Sequence, residues 1–253
     1  MSDTIVGFSA NARSERTRSS PSAERFRAWA VHLYTAMGAA LALGATEATA
    51  RSAYAEAFRY LAAAMFIDCT DGTFARRFRV REVLPHFDGS RLDDIVDYLN
   101  YTFVPVWLAW NASLLPSGLW GASVASIVLL ASAYGFSRST AKTPDHFFTG
   151  FPSYWNVVVL YLYLLELPTW ANASILLVLA GAVFLPFRYL YPSRNPFARR
   201  TTYLLGSAWG ALMLFVLYEL PAVPRPVVLI SLFFPAYYVV LSLWVHFRAP
   251  SVR

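Results

Sequence analysis

Charged side chains are scarce in this sequence. Asp, Glu, Lys and Arg together make up 14% of the 253 residues, whereas 57% of the residues are hydrophobic. A soluble globular domain carries about 25% charged residues, so the composition argues against a water-soluble fold. Several stretches approach the roughly 20 apolar residues that a bilayer span requires. The composition therefore indicates a chain surrounded by lipid.

Cysteine is nearly absent as well. The lone Cys69 excludes an internal disulfide. The first 27 residues are rich in Ser and Arg and lack the compact apolar core of a signal peptide, so we expect no cleavable signal. The formal net charge is +6. Because the basic residues lie in short loops between apolar runs, this charge does not indicate nucleic acid, and we expect no nucleic-acid partner.

The apolar stretches predict an all-α integral membrane protein with about eight transmembrane helices. The predicted spans cover residues 29–46, 54–74, 92–110, 119–136, 154–167, 171–190, 202–220 and 227–247. We predict an N-terminal segment over residues 1–28, disordered at first and then forming a short interfacial helix over 23–29. A single transmembrane domain over residues 29–248 follows, without internal repeats.

Basic residues predict the orientation of these spans. With both termini on one side, 18 of the 21 basic residues fall on that side. They are Arg13, Arg16, Arg18, Arg25, Arg27, Arg76, Arg77, Arg79, Arg81, Arg91, Arg138, Lys142, Arg188, Arg194, Arg199, Arg200, Arg248 and Arg253. The opposite loops at 111–118 and 166–170 contain no Lys or Arg. The positive-inside rule makes the basic side cytoplasmic.

Four aspartates stand out at the cytoplasmic ends of spans two and three. Asp68 and Asp71 are three residues apart, and Asp93 and Asp97 are four apart, so each pair shares one helix face. Carboxylates in a membrane are costly unless they are paired or solvated. Hard divalent cations take oxygen ligands and bridge to substrate phosphates, so the cluster suggests metal-assisted phosphoryl transfer. The alternative is that Asp93 and its neighbour Asp94 merely cap span three.

The segment that contains these aspartates resembles the signature of the CDP-alcohol phosphotransferase family. That signature reads D-x-x-D-G-x-x-A-R, a gap, and then G-x-x-x-D-x-x-x-D. The matching positions are Asp68, Asp71, Gly72, Ala75, Arg76, Gly89, Asp93 and Asp97. The gap here has twelve residues, from Arg77 to Asp88, which is longer than usual. This longer gap resembles the phosphatidylcholine synthase branch, which also tends to have about eight spans.

The resemblance implies a role for each matching residue. Asp68, Asp71 and Asp93 would bind two divalent metal ions, Mg²⁺ or Mn²⁺, and Asp97 would join them or act as the base. Gly72 and Ala75 would leave room for the CDP moiety, and Arg76 would contact the nucleotide or its diphosphate. Gly89 would let the loop close onto span three.

A second segment, residues 137–153, resembles the loop that phosphatidylserine synthases place after their fourth span. It contains the F-x-G-x-P-S pattern as Phe148, Gly150, Pro152 and Ser153. The resemblance implies that Arg138 and Lys142 bind lipid phosphates. The alternative reading is a loop whose basic residues only set the topology.

Together with these features, the resemblance implies a bacterial inner-membrane enzyme, monomeric or homodimeric, that converts CDP-diacylglycerol and choline into phosphatidylcholine and CMP. Choline recognition would use aromatic faces. The candidates are Tyr98, Tyr101, Tyr154, Tyr189 and Tyr191. A sister enzyme that uses serine or inositol is one alternative, and a cation transporter is another.

Overall fold

A computed structural model describes residues 21–138, 147–190 and 199–248. The predicted all-α class is confirmed, since helices account for nearly all regular structure in these ranges. The helices are α1 (Pro21–Ala50), α2 (Tyr54–Arg77), α3 (Val80–Val83), α4 (Gly89–Asp97), a π-helix (Tyr98–Phe103), α5 (Val104–Asn111), α6 (Gly118–Ser137), α7 (Trp155–Leu165), α8 (Thr169–Ala182), α9 (Arg199–Glu219), α10 (Arg225–Ser231) and α11 (Phe233–Arg248). Two three-residue strands, β1 (Phe147–Thr149) and β2 (Arg188–Leu190), pair antiparallel.

Helices occupy all eight predicted spans. In the described part of the chain, four stretches are long and apolar enough to cross a bilayer: Pro21–Ala50, Gly118–Ser137, Arg200–Glu219 and Arg225–Phe247. The second and third spans carry the aspartates, and α7 and α8 are shorter apolar helices. The protein is thus a multi-pass membrane protein.

Two boundaries differ from the sequence prediction. Residues 23–29 are not a separate interfacial helix, because α1 runs without a break from Pro21 and the predicted domain boundary at residue 28 falls inside it. Predicted span six ends early: α8 stops at Ala182, and the chain then turns into β2. Hydropathy alone could not find this stop, since residues 183–187 are as apolar as the helix.

Small residues bring the first helices close together. Ala42, Ala45 and Ala48 of α1 are almost fully buried, as is Ala57 of α2. Small side chains allow the close backbone approach that is typical of helix packing in membranes. At Gly38 the approach to α4 is closer still, since a β-carbon there would lie 2.4 Å from Cγ1 of Val96. This packing holds α4 against α1 and so fixes the position of its aspartates.

Helix α4 begins and ends in distinct ways. Its N-terminus is capped by Asp88, whose carboxylate accepts from the backbone N–H groups of Ser90 and Arg91. Asp93 and Asp94 are therefore not capping residues, and this removes the capping explanation of the acidic cluster. After Asp97 the chain continues directly into the π-helix, a rare form that occurs frequently at functional sites.

Candidate active site

The structure brings three of the predicted aspartates together. Asp68, Asp71 and Asp93 each offer a carboxylate oxygen, and these oxygens lie within 4.8 Å of one another. Asp71 is buried at 6% exposure, whereas the other two are partly buried. Asp68 and Asp71 lie one turn apart near the end of α2, and Asp93 faces them from α4.

Two buried hydroxyl groups bind these carboxylates from neighbouring helices. Thr35 of α1 donates to Oδ2 of Asp71 at 2.7 Å, and Tyr101 of the π-helix donates to Oδ2 of Asp68, also at 2.7 Å. The sequence did not predict either hydrogen bond: Tyr101 was expected only as a candidate for choline recognition, and Thr35 was not singled out. Tyr101 carried a signal, since it lies four residues after Asp97 on the same helical stretch, but Thr35 is 36 residues from its partner and carried none.

A small void lies between the carboxylates. Its volume is about 10 Å³, and its walls include all four aspartates of the signature together with Asn100. The amide nitrogen of Asn100 donates to the carbonyls of Gly38 and Val96, each at 3.0 Å, so its orientation is fixed. Its Oδ1 is buried and finds no partner among the described residues.

These features fit a divalent cation. The void is close to the volume of one water-sized sphere, and carboxylate and amide oxygens are the ligands that Mg²⁺ and Mn²⁺ prefer. Ligand oxygens on opposite sides of such an ion are about 4 Å apart, so carboxylate oxygens within 4.8 Å of one another need only a small movement to share one ion. Asp68, Asp71 and Asp93 are the residues that would hold the ion.

A much larger cavity of about 730 Å³ opens beside the carboxylates. Asp68, Asp93, Asp94 and Asp97 line one wall. Asp68, Asp93 and Asp97 border both this cavity and the small void, and of these only Asp97 lies outside the close trio. The arrangement places acidic groups directly against a space large enough for a nucleotide or a lipid headgroup.

The opposite wall comes from the second predicted segment. Residues Thr149–Tyr154 line the cavity together with the end of α6. Gly150 has a φ of +87°, and a β-carbon there would collide with the carbonyl oxygen of Val183, so only glycine fits. Ser153, which is buried with a φ of 56°, contacts the hydroxyl of Ser132. This segment therefore forms an ordered part of the cavity lining as well as connecting α6 to α7.

Some of the predicted basic and aromatic residues line the large cavity, and others do not or lie outside the described residues. Arg138 lines the cavity and donates to the carbonyl of Thr149 at 2.8 Å. Tyr101 and Tyr154 also line it, with ring centroids 6.1 Å apart. The hydroxyl of Tyr98 instead donates to the carbonyl of Leu129 on α6. Lys142, Tyr191 and the side chain of Tyr189 lie outside the described part of the structure.

The predicted nucleotide-contact residues lie apart from both spaces. Arg76 is exposed and bonds to Thr73 at 3.1 Å, and Ala75 packs against the small apolar cluster around Val80. A β-carbon at Gly72 would lie 3.4 Å from the guanidinium of Arg76. Gly89 begins α4, where a β-carbon would lie 2.6 Å from the ring of His32, so glycine allows α4 to begin close to α1.

Comparison with known proteins identifies relatives across most of the chain, although no protein-family model matches it. A phosphatidylcholine synthase of Pseudomonas aeruginosa is 36% identical over 86% of this chain and 91% of its own length. Another, of Bradyrhizobium diazoefficiens, is 35% identical over 91% of this chain and 84% of its own length.

A phosphatidylcholine synthase of Legionella pneumophila is 39% identical over 67% of this chain. That alignment spans 66% of the relative's own length. The long gap in the signature had predicted this branch, and the comparisons confirm it. The chain belongs to the phosphatidylcholine synthase family of CDP-alcohol phosphotransferases.

Proposed function

We propose that this enzyme transfers the phosphatidyl group of CDP-diacylglycerol to choline and releases CMP at the cytoplasmic face of the bacterial inner membrane. The observation that carries the proposal is the convergence of Asp68, Asp71 and Asp93 beside the 730 Å³ cavity. Three close carboxylates suit a bound divalent cation, and the cavity provides room for the two substrates. We infer Mg²⁺ or Mn²⁺ at the trio, together with the second ion that the family resemblance implies.

When bound, the metal supplies positive charge that offsets the diphosphate and the departing CMP. The chain's own part begins with donor binding. Arg91 and Arg138 line the cavity, and guanidinium groups suit phosphate oxygens because of their planar, forked geometry. These two residues would hold the diphosphate while the acyl chains remain in the bilayer.

Asp97 is the proposed base. It borders both the carboxylate void and the large cavity, so it can reach an acceptor hydroxyl that approaches the bound donor. The choline oxygen forms a bond to the phosphorus that carries diacylglycerol, and the bond from that phosphorus to the CMP oxygen breaks. The hydroxyl proton passes to Asp97. No covalent enzyme intermediate is needed.

The aromatic side chains favour choline as the acceptor. Tyr101 and Tyr154 lie 6.1 Å apart with their ring planes tilted by 56°, and Phe136 and Phe151 line the same cavity. Aromatic faces attract a quaternary ammonium through their quadrupoles. Inositol has no cation, and serine has only a primary ammonium next to a carboxylate, so neither matches these aromatic faces as choline does. The relatives carry the name phosphatidylcholine synthase, which supports the same acceptor.

The test is a product assay with purified protein in lipid nanodiscs. CDP-diacylglycerol and Mn²⁺ are supplied with labelled choline, serine or inositol, and lipid chromatography follows the products. We expect labelled phosphatidylcholine and an equal amount of CMP from choline alone. EDTA should stop the reaction, and excess Mn²⁺ should restore it. Product from serine or inositol but not from choline would overturn the acceptor, and full activity after thorough chelation would overturn the metal.

A further inference from the structure

We propose that Thr35 and Tyr101 are positioning residues that fix Asp71 and Asp68 in the conformations needed to bind the cation. This inference rests on the proposed metal-dependent transfer and adds the two hydroxyl groups that prepare its site. Neither residue belongs to the aspartate signature. Each one donates to a different carboxylate, and each comes from a different helix that packs against α2.

The physical need for such residues follows from the charge of the cluster. Carboxylate oxygens within 4.8 Å of one another repel, and an aspartate side chain can rotate about two bonds to move away. A hydrogen bond to one oxygen of a carboxylate restricts this rotation. Hydrogen bonds from hydroxyl groups to charged carboxylates are also shorter and stronger than neutral ones, in agreement with the two distances of 2.7 Å.

The π-helix places the hydroxyl of Tyr101 where it can restrict the rotation of the Asp68 carboxylate. Its side chain is 8% exposed, and a buried phenol hydroxyl needs a hydrogen-bond partner. The π-helix over Tyr98–Phe103 begins immediately after Asp97. The same helical stretch thus carries Asp93, Asp97 and the hydroxyl that reaches across to Asp68 on α2.

Thr35 differs from other threonines of the same helix. Thr46 and Thr49 donate to the carbonyl oxygens four residues earlier, Ala42 and Ala45, which is the usual local bond of a helical threonine. Thr35 instead donates to Asp71 on α2 while being only 7% exposed. One residue earlier, Tyr34 bonds to Thr70 at 2.8 Å. Helix α1 is therefore tied to α2 next to the carboxylates.

The experiment measures Mn²⁺ binding directly, by electron paramagnetic resonance of the free ion, in the absence of both substrates. Tyr101→Phe and Thr35→Val each remove one hydroxyl and keep the shape. Groups that hold metal ligands contribute about 10- to 100-fold to metal affinity. We expect each variant to raise the Kd for Mn²⁺ by about 10-fold or more. The KM for Mn²⁺ in transfer should rise in parallel, with kcat largely recovered at saturating Mn²⁺.

Matched controls separate positioning from a general loss of packing. Tyr54→Phe removes a phenol hydroxyl that donates to the carbonyl of Asn111 at 2.7 Å, and Thr49→Val removes a buried hydroxyl of α1. Both controls should bind Mn²⁺ like the unaltered protein. Thr35→Ser keeps the hydroxyl and should restore most of the affinity that Thr35→Val loses.

The outcomes distinguish this inference from the proposed function. Unchanged Mn²⁺ affinity in both Tyr101→Phe and Thr35→Val would overturn the inference, even if choline transfer is demonstrated. Equal losses in the controls would overturn it too, because they would indicate a packing effect. If the affinity falls as expected but no alcohol yields a product, the positioning role stands and the proposed reaction is wrong.

Discussion

At the scale of single residues, the four signature aspartates are not equivalent. Asp68, Asp71 and Asp93 form the close trio, whereas Asp97 lies outside it. Asp97 borders the large cavity, as Asp68 and Asp93 also do. Sequence spacing could predict that each pair shares a helix face. It could not predict this division, because the division depends on how α2 and α4 cross. We infer that three carboxylates bind the cation and that the fourth acts on the acceptor.

Replacing Asp97 with Asn tests this division. The substitution keeps the shape and removes the basicity, so we expect kcat for choline transfer to fall by about 10²-fold or more, the contribution of a general base. CDP-diacylglycerol binding and the Kd for Mn²⁺ should change little, because the trio is intact. Initial rates and Mn²⁺ titrations of the same preparation provide the measurement. Near-normal turnover would assign the proton to another group, and Asp94, which lines the same cavity, would be examined next.

At the scale of helices and strands, apolar length predicted where the helices lie but not how they are joined. The eight spans follow from runs of apolar residues separated by polar breaks. That pattern does not predict the π-helix after Asp97, and it does not predict the pairing of β1 with β2. Both depend on contacts between distant segments, such as the hydrogen bond between Tyr101 and Asp68 and the close approach of Gly150 to Val183. The parts that sequence missed are therefore those that shape the cavity.

The crossing of α1 and α4 provides a prediction at this scale. Gly38→Ala would place a β-carbon 2.4 Å from Val96, and overpacking of this kind costs about 1–3 kcal/mol. We expect a lower midpoint of thermal unfolding in detergent and weaker Mn²⁺ binding, because α4 carries Asp93. The double variant Gly38→Ala/Val96→Ala should recover part of both losses.

Gly210→Ala is the matched control for this pair, since a β-carbon there would meet nothing within 4 Å. Its unfolding midpoint should remain the same or rise slightly, because alanine is the better helix former. Equal destabilisation by Gly38→Ala and Gly210→Ala would contradict the proposed importance of the crossing.

At the scale of the whole molecule, two of the three basic residues that break the predicted topological pattern, Arg51 and Arg59, have structural partners. Arg51, in the turn between α1 and α2, forms ion pairs with Glu47 and Glu56. Arg59 donates to the carbonyls of Leu217, Tyr218 and Leu220 at the end of α9, where a cation is favoured by the helix dipole. These partners stabilise the two cations locally, which is compatible with their predicted position on the side opposite the other basic residues.

The topology itself is tested with reporter fusions. Eight passes with both termini in the cytoplasm require the connection between α5 and α6 to lie outside. A phosphatase reporter inserted after Ser113 should be active, and one at Arg253 inactive, because alkaline phosphatase folds only in an oxidising compartment. A fluorescent reporter should give the reverse pattern. Opposite readings would move the aspartates to the outer face, away from a cytoplasmic supply of CDP-linked donor.

The residues of the site are translated in two steps, because the aspartates come early in the sequence and part of the cavity lining comes later. The four aspartates and the hydroxyls of Thr35 and Tyr101 all precede residue 102, whereas the cavity wall Thr149–Tyr154 comes about 50 residues later. At roughly 5–20 residues per second, this wall leaves the ribosome about 3–10 s after the carboxylates. For that interval the nascent chain carries the whole proposed set of cation ligands before the lining at Thr149–Tyr154 exists. We therefore expect that an ion can reach the aspartates during membrane insertion, before the cavity is complete.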